Sequence, residues 1–204
     1  MRTPVLLTLL FILSSAYSQE KKSIDSLVKN KFEKFQKYGV NNFFALNRYC
    51  IGSSKLNKDP KLNCDGNYEL YFFWKVNGKQ FIQKVDDCRI YRALEIADSK
   101  ELTDSNLFDF FENNISVIKT GIVKTYKTKN GEVSTPHTCF REYFFLSENV
   151  IHKKQFNLFD LSKGEDESNM NYEFNSNLAI VNLNMICAEL ILNIEAENKF
   201  KVLE

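Results

Sequence analysis

The chain has 204 residues, with 27 basic and 26 acidic side chains, 44% hydrophobic residues, 7 Gly and 3 Pro. That composition excludes a disordered tail or a flexible linker, because it holds enough apolar side chain to build a core. It also argues against a nucleic-acid binder, which needs a positive surplus to displace counterions from phosphates.

Residues 1–18, MRTPVLLTLLFILSSAYS, read as a cleavable export signal. Arg2 supplies the positive start, residues 5–13 are apolar apart from Thr8, and residues 14–18 carry the small side chains that signal peptidase accepts. The apolar run falls short of the ~20 residues a bilayer-crossing helix needs. The expected mature chain therefore begins at Gln19, has no transmembrane span, and works in the periplasm or outside the cell. Losing Arg2 leaves 26 basic against 26 acidic side chains, so residues 19–204 are expected to form one neutral globular domain.

Ser23 is placed to cap a helix over 24–38, in which Ile24, Leu27, Val28, Phe32, Phe35 and Tyr38 recur at three and four and Gly39 follows as a stop. Residues 40–49 are aromatic-rich and expected to be extended. All five cysteines lie beyond the export signal, in a setting that allows bridges. The polar segment IGSSKLNKDPKLN between Cys50 and Cys64 lacks any other ordering element, which makes that pair the first choice. Cys88 with Cys139 is the second, leaving Cys187 as a small buried side chain.

The segment NYELYFFWKVNGKQFIQKVDD predicts a hairpin, because Asn77-Gly78 tolerates the two positive φ values of a type I′ turn. With Val76 opposite Lys79, Trp74 faces Phe81 and Leu70 faces Val85, while Phe73 faces Ile82 on the other side. Both faces are then partly apolar, so the sheet is either covered on both sides or offers an aromatic surface near Tyr71, Phe73 and Ile82 to a ligand.

Asp87 suggests a cap for a short helix over 89–97, and Ser105 a cap for a second over 106–114, with Leu107, Phe110, Phe111 and Ile115 on one face. A second hairpin is expected at Asn130-Gly131, with Lys129 opposite Glu132, Tyr126 opposite Thr135 and Ile122 opposite Cys139. Pro136 confines that strand to an edge or a bulge. Residues 162–171 form an acidic loop without the alternating oxygen ligands of a calcium site. From Ser176 onward the chain reads as a long, mostly buried helix with a narrow Asn182, Glu189, Asn193 stripe, although 178–183 also fits a strand.

Candidate chemistry is sparse. His137 and Cys139 fall on the same side of a strand, as a metal pair or a thiol with its base, but zinc needs further ligands and none lies near in sequence. An edge-strand histidine beside a structural cysteine is the preferred account of the pair. The signatures of serine hydrolases, zinc hydrolases and phosphate-binding loops are absent, and nothing implies a metal or a cofactor.

The expected fold class is α+β: an antiparallel sheet built around two Asn-Gly hairpins and packed by N-terminal and C-terminal helices. The expected role is a non-enzymatic exported module that binds a protein, a peptide or a small apolar ligand through an aromatic sheet face. The alternative is an exported hydrolase using carboxylates or the His137 region.

Overall fold

The Ser23 hydroxyl accepts a hydrogen bond from the Ser26 N–H at 3.2 Å and starts helix α1, Ile24–Lys37. The helix ends where Gly39 takes φ +69°, a left-handed turn that costs glycine little. In this computed structural model the described residues are 23–52, 68–96, 107–164 and 168–203. The export segment, Cys64 and the Ser105 cap lie outside them.

Strands β1 (Asn42–Ile51), β2 (Tyr68–Val76), β3 (Lys79–Asp86), β4 (Leu94–Ile96), β7 (Thr138–Ser147) and β8 (Val150–Asn157) form a six-stranded antiparallel sheet in the order β4-β3-β2-β1-β7-β8. The short β5 (Lys127–Thr128) and β6 (Gly131–Glu132) pair only with each other. Helix α2 spans Leu107–Thr120, a short α3 spans Tyr172–Ser176, and α4 spans Ala179–Ala196. The fold is α+β.

Alternation along the strands sends the two apolar sets to opposite faces. Phe44, Leu46, Tyr71, Phe73, Ile82, Tyr143 and Phe145 pack under α2 and α4 with Phe108, Phe111, Leu183 and Ile191. Phe43, Ala45, Leu70, Phe72 and Phe144 pack under Val28, Phe32 and Phe35 of α1. By length and composition α4 could cross a membrane. Eight of its residues are instead buried in this core, among them Val181, Leu190 and Ile194.

The β2–β3 pair has Val76 opposite Lys79, Trp74 opposite Phe81 and Phe73 opposite Ile82, with positive φ at Asn77 and Gly78. Elsewhere local signals gave way to pairing. Of the helix expected over 89–97, the described residues 89–96 are not helical: Leu94 lies opposite Ile82 and Ile96 opposite Gln80, so the segment completes the edge that β3 would otherwise leave unpaired.

The expected second Asn-Gly hairpin is reduced to Lys127 opposite Glu132 and Thr128 opposite Gly131, so the turn falls on Lys129 and Asn130. The Thr128 hydroxyl accepts from the Asn130 N–H at 3.1 Å and fixes that turn. Cys139 does not pair with Ile122; it belongs to β7, opposite Cys50. The hairpin that builds the sheet here is β7–β8, turning at Glu148 and Asn149, both at positive φ. Helix α2 also runs on to Thr120, burying Phe108 and Ile118, and residues 179–183 are helical.

Candidate functional site

The expected ligand surface is closed. Tyr71, Phe73 and Ile82 are all 0% exposed, because α2 and α4 lie over them as part of the larger core. Burying three such side chains against a hydrophobic helix layer is worth about 1.5–3 kcal/mol each, so the face serves stability rather than binding.

The expected bridges are also rearranged. Cys50 pairs with Cys139, because strand order makes β1 and β7 neighbours and sets these residues directly opposite. Cys88 is disulfide-bonded too, and Cys187 is a buried free thiol. With Cys139 oxidised, the expected thiol-and-base pair with His137 does not exist. His137 itself is exposed in the loop before β7, its ring against Gly52. Asp86, Asp87 and Cys88 cluster in the manner of metal ligands, but the bridge consumes the thiol. Asp86 holds a turn, accepting from the N–H groups of Cys88 and Arg89 and from the Tyr91 hydroxyl.

Open space lies instead at the opposite end of the α1 face. An open pocket of about 320 Å³ is lined by Ile24 and Asp25 of α1, Asn47 and Tyr49 of β1, Tyr68 of β2, Glu142 of β7 and Lys153 of β8. Its origin is a change along the strands from apolar to polar pairs. The row of Phe72, Ala45 and Phe144 lies under α1, the next holds Asn47 opposite Glu142, and the last sets Tyr68, Tyr49 and Phe140 side by side. Tyr49 and Phe140 stack at 5.1 Å with 14° between planes, and all three rings keep partial exposure. They form an aromatic shelf just beyond the first turn of α1.

Beside the shelf the polar groups are constrained. Glu142 is 5% exposed and accepts from Asn47 Nδ2 at 3.0 Å and from Lys153 Nζ at 2.7 Å. Lys153 also reaches Asp25 at 3.4 Å. Burial opposes the Lys153 charge, but the hydrogen bond and charge of Glu142, followed by Asp25, outweigh it and hold the ammonium above its ordinary pKa. Burial, then the Glu142 charge, pushes the Tyr49 phenol up; burial, then Asp87 and Asp86, does the same for Tyr68. Both phenols therefore stay neutral.

Two carboxylates share one ammonium, and the buried Asn47 Oδ1 has no hydrogen-bond partner. The pocket wall is rich in acceptors. In sequence these residues are scattered over positions 24–153, and only the strand register brings them together. The one local hint was alternation in β1, where Asn47 interrupts an otherwise apolar face.

No family model and no curated protein matches the chain. Among solved structures, the cowpox virus protein OMCP, crystallised bound to human NKG2D, is similar over 72% of this chain and 95% of that one, at 14% identity and a TM-score of 0.20. At that TM-score the likeness transfers neither fold detail nor partner.

Proposed function

We propose that the protein is an exported, non-enzymatic binding module of one domain, residues 19–204. It seats an ammonium or guanidinium group of a peptide or protein partner in the pocket between Tyr49, Tyr68 and α1. The observation that carries this reading is the mismatch of donors and acceptors. Among the described residues, Glu142 and Asp25 share one cationic donor, Lys153, beside the buried, unpartnered Asn47 Oδ1. An ionised carboxylate has about four lone-pair sites, so a ligand bringing N–H donors finds acceptors at Glu142 and Asp25 that Lys153 alone does not fill.

The shelf supports the same choice. Tyrosine faces attract cations and stack on planar guanidinium groups, worth about 0.5–2 kcal/mol according to exposure. A volume of about 320 Å³ lies at the small end of ligand pockets, which run from about 300 to 1,000 Å³. It suits one side chain rather than a cofactor.

The test is an NMR titration of the mature protein with acetyl-arginine amide and, in parallel, acetyl-methionine amide. The arginine compound is expected to shift the Tyr49, Tyr68 and Ile24 resonances saturably, with weaker binding in Glu142→Gln and Asp25→Asn. Equal binding of the methionine compound would return the site to a general apolar pocket, and no response to either would remove the reading.

A further inference from the structure

On the other face of the same sheet, the polar row sets Asp86, Glu69, Arg48 and Arg141 side by side across β3, β2, β1 and β7. Arg48 and Arg141 are directly opposite, where facing side chains start about 4.5–5.5 Å apart at Cβ and like charges destabilise the pair. The neighbouring acid, Glu69, is shared and offsets only part of this. Glu69 is 3% exposed and pairs with Lys84, whose ammonium sits 2.8 Å from Glu69 Oε1 and 2.7 Å from Glu195 Oε1. Arg48 Nε forms an ion pair with Glu69 Oε2 at 3.6 Å, although this buried nitrogen makes no hydrogen bond.

Arg141 is the less satisfied of the two. Its Nη1 donates at 3.0 Å to the carbonyl of the adjacent Phe140, and among the described residues no carboxylate pairs with it. Burial, then the Arg48 charge, lowers its pKa to about 10, so it stays protonated at neutral pH. Both side chains keep partial exposure, 22% for Arg48, although its Nε is buried. The covalent Cys50–Cys139 link lies one pair beyond on the same face, tying the two strands that carry the arginines.

We infer that Arg48 and Arg141 together form a binding site for a small oxyanion, a carboxylate or phosphate group held between two guanidinium forks. A planar guanidinium presents paired N–H donors that match both groups. Glu69, shared between Lys84 and Arg48, leaves Arg141 without a carboxylate among the described residues, and an oxyanion between the two arginines would supply that countercharge. The site is separate from the acceptor-rich pocket on the α1 face and takes a ligand of opposite charge.

The experiment is calorimetric titration of the mature protein with inorganic phosphate and with acetate at constant ionic strength, chloride serving as the control. Saturable binding of either oxyanion above the chloride background is expected, and the tighter of the two names the group. Arg141→Gln is expected to weaken binding by about tenfold or more. In chloride buffer it should unfold no earlier than the wild type, since it removes a like-charge contact. Arg48→Gln provides a second variant should the first not fold. Absence of saturable binding of both anions to the wild type would overturn the site, as would undiminished binding in the folded variants.

Discussion

The Cys50–Cys139 bridge spans 89 residues of sequence, and removing it should be the most costly change available outside the core. In the chain-entropy model, closing a loop of that separation removes about 15 cal/mol/K from the unfolded chain, or about 4.6 kcal/mol at 25 °C. The logarithm makes the figure insensitive to loop length. A loop shortened by a quarter through other bridges still gives about 4.4 kcal/mol.

The perturbation is the double variant Cys50→Ser/Cys139→Ser, which removes both partners so that neither is left as a new free thiol beside the buried Cys187. Guanidinium unfolding is expected to report a loss of about 4–5 kcal/mol and a larger m-value, because the unlinked unfolded chain exposes more surface. For a chain of this size the melting temperature should fall by about 9–18 °C. A loss below about 1 kcal/mol, with mass spectrometry confirming the wild-type bridge, would refute the reasoning. A full loss at unchanged m-value would mean that the bridge acts through native contacts rather than through the unfolded chain.

Glu69→Gln should cost about 2 kcal/mol, less than the 3–5 kcal/mol of a fully orphaned buried charge, because Glu195 still meets Lys84. Burial raises the Glu69 pKa, but the Lys84 hydrogen bond and charge, then Arg48, bring it below the usual value of 4.5. Its stabilisation is therefore present above about pH 4.5 and lost as pH falls through the lowered value. Urea midpoints between about pH 5 and 3 should drop more in the wild type than in the variant, and parallel curves would contradict the assignment. Tyr71→Phe removes a 2.9 Å hydrogen bond to Glu195 and should cost about 1 kcal/mol by the same assay; a neutral result would place that phenol outside the cluster. Cys187 is 0% exposed and its thiol is pushed up by burial, so it should resist a disulfide reagent in the folded protein and react only at the rate of unfolding. Immediate labelling in native buffer would contradict the packing of α4.

Where a local signal coincided with the tertiary demand, the sequence was readable. Ser23 and Gly39 bracket α1 because capping and left-handed φ are properties of single residues. Asn77-Gly78 placed β2 and β3 in register because the turn and the alternation agreed. The Glu148-Asn149 turn carried no glycine, and β8 escaped notice although it completes one edge of the sheet. Residues 89–97 looked like a capped helix, but an open β3 edge gains more from three paired residues than a short helix gains from its cap.

The site was legible only in its parts. Tyr71, Phe73 and Ile82 were the most conspicuous aromatic and aliphatic positions, and that apolarity is why α2 and α4 cover them. By itself the sequence determined the α+β class, the α1 boundaries and the β2–β3 register, because each follows from spacing within a few tens of residues. Strand order was a tertiary decision. Placing β1 between β2 and β7 chose Cys139 as the partner of Cys50, set Arg48 against Arg141, and put Asn47 beside Glu142. Those juxtapositions join residues about ninety positions apart, and no local pattern encodes which strands become neighbours.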